Sequence, residues 1–500
     1  MKLDKFYEDT IVLTISNFAT GILRFIFSII LSKKLGAEGV GLYGLIMPVY
    51  DLFCCLVCGG LIVAISRKAS ILYGNKDYKN IVLLIKTCLI FTFIWSTFVC
   101  IILFFNMNFL ANVIIKDSRT IYSLEVICPA VLFIALSSVF KGYFYGISKA
   151  KIPAYIDIFE KAVRVLVVIA IIDLLMLRTI TKTVTAVYAA LSLGEFMSLI
   201  FLYFAFIISS RKLKSSYTTH EGRGQLLFDV LIVSIPLCVN GFVSSILSAA
   251  STLILPRRLV FAGFPYKAAL EMIGKFSGMA LSITFFPMII IGSMATVLVP
   301  EISQNINQKN TFAVEKRISE VLKISFFLGL ATLIICLSIP ELLGRLFYNR
   351  NDLGKYIMFS AISLPFSYVS GSTFAILSGI GKQTKILINS VIISIEELIL
   401  LYVLTGISFI NIYGYGITLI ITGITSYILN MHDIRKFCEI HFNLSDIFID
   451  ILLSIFLYLV LGIMNNLIPD SYFIAKTISI ICAGFILFFL SLKTIRRKLR

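Results

Sequence analysis

About fourteen apolar stretches, each long enough to cross a bilayer, occupy almost the whole of this 500-residue chain. They fall near 10–31, 42–66, 81–105, 121–146, 153–177, 183–208, 226–254, 268–298, 320–339, 356–380, 384–405, 411–430, 447–466 and 474–492. Runs of this length must satisfy their own backbone hydrogen bonds in lipid, which predicts an all-α integral membrane bundle of about fourteen helices. With 59% hydrophobic and 14% charged residues the chain is far from a soluble domain, in which about a quarter of residues are charged. The net charge of +17 fits cationic loops against anionic lipid, and no nucleic-acid partner is expected.

The start, Met1 to Asp9, is mixed in charge and lacks a small-residue cleavage site, so the first span is expected to stay as an anchor. Loop charges divide into two sets. The heavier set holds Lys2, Lys5, Arg67, Lys68, Lys76, Lys79, Lys149, Lys151, Arg211, Lys212, Lys214, Arg223, Lys309, Lys316, Arg317, Lys382, Arg435, Lys436 and Arg496 to Arg500. The thinner set holds Lys33, Lys34, Lys116, Arg119, Arg178, Lys182, Arg257, Arg258, Lys267, Arg345, Arg350 and Lys355. The bias places both termini in the cytoplasm, in agreement with an even number of spans.

The chain reads as internally duplicated. Asn17 precedes Ser32-Lys33-Lys34-Leu35 as Asn240 precedes Pro256-Arg257-Arg258-Leu259. Gly146-Ile147-Ser148-Lys149 and Gly379-Ile380-Gly381-Lys382 each end a span that contains a proline, Pro129 or Pro365. This predicts an N-terminal six-helix lobe at 1–209, a cytoplasmic linker at 210–225, a C-terminal six-helix lobe at 226–430, and a loop with two extra helices at 431–500. Repeated halves around a midplane site are a transporter architecture.

Charges inside spans are costly in lipid and so are candidates for function. Arg24 lies in the middle of the first span, too deep to snorkel. Glu160 and Arg164 stand at i, i+4 in the fifth span, as either a self-neutralising pair or a charge that exchanges partners. Glu396 and Glu397 are adjacent in the eleventh span and point about 100° apart, so one can bond a neighbouring helix while the other is open to proton or cation coupling. Glu271 and Lys275 form a further i, i+4 pair, and Asp51, Lys86, Asp173, Glu195 and Lys323 are single charges. Pro48, Pro129, Pro236, Pro287 and Pro365 are hinges or fixed kinks.

Gly36 to Gly44 is glycine-rich but lacks the strand and Gly-Lys-Ser/Thr of a phosphate loop, and reads as a tight turn between two spans. Cys54 and Cys58 share a helix face without a completing ligand, and the three histidines, His220, His432 and His441, are loop residues. No metal, cofactor or catalytic residue is expected.

Several segments together resemble the stage V sporulation protein B family. They are Gly36-Ala37-Glu38-Gly39-Val40-Gly41-Leu42-Tyr43, Met47-Pro48-Val49-Tyr50, Gly60 with Ala64-Ile65-Ser66-Arg67, Lys141-Gly142-Tyr143-Phe144-Tyr145-Gly146, Phe159-Glu160-Lys161-Ala162-Val163-Arg164-Val165, Leu255 to Leu259 and Leu298 to Ser303. That family lies in the multidrug/oligosaccharidyl-lipid/polysaccharide exporter superfamily. The resemblance implies two six-helix lobes rocking between inward-open and outward-open states. It also implies a flippase for an undecaprenyl-pyrophosphate-linked glycan, with lipid II for spore cortex peptidoglycan as the expected substrate. Relatives carry arginines around the positions of Gly21 and Ser28; here Arg24 stands alone on that face. Arg24 and Arg164 are then the candidate pyrophosphate ligands, and H+, Na+ or the membrane potential the candidate driving force. A drug/cation antiporter using Glu160, Glu396 and Glu397, a non-transporting scaffold and a membrane-embedded glycan polymerase are the competing readings; no catalytic loop cluster supports the last.

Overall fold

The computed structural model describes residues 5–177, 179–211, 222–308, 310–438, 444–469 and 472–498. Lys2, Arg178, Lys212, Lys214, most of the expected 210–225 linker, His220, Lys309, His441 and Arg500 lie outside the described residues. The described chain is helical almost throughout, with no strand among the described residues. It is a multi-pass membrane protein. Among the described residues, ten helices are long and apolar enough to cross a membrane, or eleven if one bent pair counts as a span. One of the ten, Val12–Gly74, runs for 63 residues. At 1.5 Å per residue that is roughly 95 Å, enough for two crossings.

The chain divides by contact into two compact units, Met1–Ile30 with Lys34–Leu253, and Leu31–Lys33 with Ile254–Arg500. The first contains α1 (Lys5–Cys58), α2 (Leu61–Gly74), α3 (Tyr78–Phe105), the short α4 (Met107–Phe109), α5 (Ile121–Gly146), α6 (Lys151–Leu174), α7 (Ile180–Arg211) and most of α8 (Arg223–Phe261). The second contains α9 (Tyr266–Ile273), a π-helical turn at Gly274–Ala280, α10 (Leu281–Phe285), α11 (Met288–Asn307), α12 (Thr311–Ser338), α13 (Pro340–Tyr348), α14 (Gly354–Ala361), α15 (Leu364–Ile380), α16 (Gln383–Leu404), α17 (Tyr413–Arg435), α18 (Leu444–Leu467) and α19 (Phe473–Lys498).

The turn expected at Gly36–Gly44 is not a loop. The segment stays helical and breaks only at Gly36, whose φ of 67° and ψ of −179° suit glycine alone. A second interruption comes at Gly59-Gly60, where Gly60 adopts a left-handed φ of 73° and the expected second span divides into the end of α1 and α2. The expected tenth span also divides, with a 50° bend between α14 and α15. Pro365 sits in the first turn of α15, where its missing N–H breaks no helix bond, while Pro48 and Pro129 lie within continuous helices.

In the first unit α5 is the central post. It packs on α2, α3 and α7, and α6 packs on α7. In the second unit α15 packs in the same way on α11, α12 and α17, and α16 packs on α17. Small residues permit both close approaches. A Cβ on Gly146 would come within 2.7 Å of the Ser66 carbonyl of α2, and one on Gly379 within 2.9 Å of the Ile302 Cβ of α11. Around these contacts lie Leu61, Ile65, Phe140, Tyr143 and Leu202 in one unit, and Leu298, Ile302, Val321, Ile376 and Leu377 in the other. Outward faces stay apolar: Ile90, Phe93, Ile94, Phe98 and Ile101 of α3 are all exposed, as a lipid-facing surface requires.

Candidate substrate site and its ion network

The charged interior of the first unit is built between α6 and α7. One helical turn separates Glu160 from Arg164, so both point to the same side, and the Arg164 Nη2 lies 2.5 Å from Glu160 Oε1. The same nitrogen donates to Glu195 Oε1 of α7 at 3.1 Å. Lys161 Nζ reaches Glu160 Oε2 at 3.5 Å, and one turn further along Lys141 of α5 pairs with Asp157 at 2.8 Å. Three cations and three carboxylates thus neutralise one another in a seam where Glu160 and Glu195 are buried and the other four side chains half-buried. Gly194 makes the seam possible: a Cβ there would lie 2.6 Å from Glu160 Oε1. Tyr43 of α1 stacks on Tyr188 of α7 at 5.0 Å, and the Tyr188 hydroxyl donates to the Tyr43 carbonyl at 2.8 Å. The Tyr50 hydroxyl and the Arg164 Nε are buried without a hydrogen-bond partner.

Arg164 is therefore already shared by two carboxylates. Arg24 is different. It is exposed on α1 and makes no ion pair within 4 Å among the described residues. The charge that responds to it is Asp51, also exposed and also on α1, in the part of the helix beyond Gly36.

The two glutamates of α16 take separate surroundings. Glu396 Oε1 accepts a hydrogen bond from Thr425 of α17 at 2.9 Å, while its Oε2 is buried without one. Glu397 is half-buried and its charge acts on Tyr415. The remaining polar contacts of this interface are largely neutral: Asn389 donates to Asn430 at 3.0 Å and to Asp433 at 3.2 Å, and Asn430 donates to Thr373 at 2.9 Å.

Glu195 reads as a single charge in the sequence, and nothing there pairs Lys141 with Asp157 or Lys68 with Asp229, both of which meet at 2.8 Å. Spacing along one helix cannot show a partner on another. The expected Glu271–Lys275 pair is not formed. Lys275 lies in the π-helical turn, which rotates it away from the i, i+4 position, and it pairs with Asp352 at 2.8 Å. Arg350 binds the same carboxylate at 2.7 Å, and together Arg350 and Lys275 hold the Asp352 carboxyl well below the usual carboxylate range. Members of the thinner charge set have partners of their own: Arg119 bridges Glu38 and Asp117, Lys34 meets Asp173, and Arg258 lies over the Phe261 and Tyr402 rings while donating to the Tyr402 carbonyl. The thiol of Cys58 donates to the Cys54 carbonyl.

The fold is shared with solved membrane transporters. Its solved neighbours include the lipid II flippase MurJ in an inward closed conformation, at TM-score 0.69 and 16% identity over 98% of this chain and 100% of that one. They also include an inward-facing multidrug resistance MATE family transporter of the MOP superfamily, at TM-score 0.66 and 17% identity over 85% and 98%. The profile of the polysaccharide biosynthesis protein family matches residues 6–306, and the chain belongs to that family. Among its relatives, stage V sporulation protein B of Bacillus subtilis (strain 168) is 25% identical over 448 residues, 89% of this chain and 86% of that protein. Lipid II flippase MurJ of the same organism is 21% identical, covering 79% of this chain and 76% of that protein.

Proposed function

We propose that this protein is an alternating-access flippase for an undecaprenyl-pyrophosphate-linked glycan, with lipid II of spore cortex synthesis as the substrate, and not an enzyme. Its halves act as two six-helix lobes, with both termini in the cytoplasm. The observation that carries the reading is Arg24, an exposed guanidinium in the first span with no ion-pair partner among the described residues. An arginine at that depth needs water or an anion. A pyrophosphate supplies the anion and accepts the forked donors bidentately. The acidic groups that a cation antiporter would use in the first unit, Glu160 and Glu195, are instead held by Arg164. Arg164 becomes a second phosphate ligand only by exchanging one of those carboxylates. Glu396 and Glu397 are the positions for H+ or Na+ coupling.

The test is translocation in vesicles, with lipid II beside a simpler polyprenyl glycolipid and a cationic dye. Arg24→Ala should lose glycan transport with thermal stability unchanged, and Arg24→Lys should keep part of it. Normal lipid II movement by Arg24→Ala would remove the anion site from Arg24, and transport of the dye alone would favour the antiporter. Orientation is tested with Ser216→Cys and Lys116→Cys in a background without reactive thiols. An impermeant reagent should label only Lys116→Cys from outside.

A further inference from the structure

A cavity of about 540 Å³ opens in the second unit where the end of α12, the start of α13, the end of α18 and the start of α19 meet. It lies at the end of the α18–α19 hairpin remote from the basic tail at Arg496–Lys498. Five of its ten lining residues are polar or charged: Ser338, Glu341, Asn465, Asn466 and Lys476. Lys476, only 5% exposed, contributes an ammonium with three donors, enough to serve a ligand beside a protein partner. Asn465 contributes an amide whose Oδ1 is buried with no hydrogen-bond partner. Glu341 adds an exposed carboxylate, in the first turn of a helix that no side chain caps. Arg345, lying 4.2 Å over the Phe473 ring, ties α13 to α19 beside it. Leu467, Tyr472 and Ile474, in the stretch between lining residues Asn466 and Lys476, are all exposed, as for residues that meet acyl chains.

The site therefore joins a cationic donor and a helix start, which suit a phosphate, to a carboxylate and an orphaned amide oxygen, which require a donor. We propose that it binds the headgroup of phosphatidylethanolamine. Lys476 and the first turn of α13 take the phosphate oxygens. The primary ammonium donates to Glu341 and to Asn465 Oδ1. A choline headgroup has no N–H for Asn465, and a glycerol headgroup has no cation for Glu341. The site is separate from Arg24 and from the α6–α7 seam, so it stands whether or not the protein moves a glycan.

The test is lipid binding to the purified full chain, by thermal shift and by native mass spectrometry, with phosphatidylethanolamine, phosphatidylcholine, phosphatidylglycerol and free phosphoethanolamine. Phosphatidylethanolamine should bind about tenfold more tightly than the other two lipids, and Glu341→Gln and Asn465→Leu should each erase most of that margin. Glu341→Gln is an exposed change that leaves the fold intact if Asn465→Leu does not. Equal binding of the three lipids, or an unchanged margin in Glu341→Gln, would overturn the proposal. Equal protection by free phosphoethanolamine would overturn its lipid part.

Discussion

The α6–α7 interface of the first unit and the α16–α17 interface of the second are built on the same helix packing but filled with different chemistry. The register that pairs Gly146 with Gly379 also pairs Arg164 with Glu397, a cation with a carboxylate. Around Arg164 the seam is ionic, with Glu160 at 2.5 Å and Glu195 at 3.1 Å. Around Glu396 and Glu397 it is mainly amide and hydroxyl, with Thr425, Asn389, Asn430 and Thr373. A buried ionic seam is rigid about its composition, because removing one charge strands the others. A neutral seam tolerates loss of one group, since each hydrogen bond contributes only about 1 kcal/mol net. The first unit thus carries charges that neutralise one another, while Glu396 and Glu397 of the second pair with no cation among the described residues.

The largest expected effect is Arg164→Gln. It leaves the buried Glu195 without its cation and Glu160 with only the longer Lys161 contact at 3.5 Å, at a cost of about 3–5 kcal/mol. Glu160→Gln is milder, because Arg164 keeps Glu195. The double change Glu160→Gln with Arg164→Gln should be less damaging than the sum of the two, with a coupling of about 0.5–3 kcal/mol by thermal unfolding in one detergent. Strict additivity would mean that the two side chains do not share a seam.

Next come the glycines. Gly194→Ala drives a Cβ to 2.6 Å from Glu160 Oε1, whereas Gly423→Ala on α17 meets Phe366 Cβ at 3.2 Å, a contact that a small shift relieves. Overpacking the ionic seam should destabilise by about 1–3 kcal/mol. In the second unit the helix preference of alanine, about 1 kcal/mol over glycine, offsets most of the contact. Equal losses of melting temperature in the two variants would erase the contrast between the ionic α6–α7 seam and the α15–α17 contact that Gly423 makes.

Much of the scaffold was legible in the sequence because lipid makes length and hydropathy decisive. The fourth span, expected at 121–146, is α5 at Ile121–Gly146. The glycine–lysine ending shared by Gly146 and Gly379 marks the two sites of close helix approach. Breaks were harder to read. Gly36 to Gly44 has turn composition, yet only Gly36 leaves the helix, because the residues after it bury Leu42, Leu45 and Ile46 against the unit. Ion pairing within one helix was visible for Glu160 and Arg164, but Glu195 belongs to another helix and no spacing rule connects them. For Lys275 the spacing rule itself failed, since a π-helical turn changes the residues per turn.

A smaller effect should separate Thr425→Val from Glu396→Gln. The valine leaves the Glu396 carboxylate with neither oxygen hydrogen-bonded, at a cost of about 1–3 kcal/mol. The glutamine still accepts the Thr425 hydroxyl and has no charge to desolvate. Thr425→Val should therefore melt at a lower temperature than Glu396→Gln, and the reverse order would show that the Glu396 charge has a stabilising partner of its own.

The smallest effect lies outside the spans, at Asp352, and contrasts a solvated ion cluster with the buried seam. Arg350 and Lys275 lower its pKa in the folded state, so the folded protein binds the proton less readily than the unfolded chain does. Stability from this group is then fully present above the unfolded value, about 3.9, and is lost as pH falls through the lower folded value. The side chain is 44% exposed, so screening holds the contribution to about 1 kcal/mol or less. The melting temperature of Asp352→Asn should fall slightly below that of the parent at pH 7, by a margin that stays constant down to about pH 5 and shrinks only below about pH 4. Added salt should narrow the margin at pH 7, while the cost of Arg164→Gln, in its buried seam, should barely respond. A margin that instead grew on acidification would mean that Asp352 is held protonated and that its cations serve another anion.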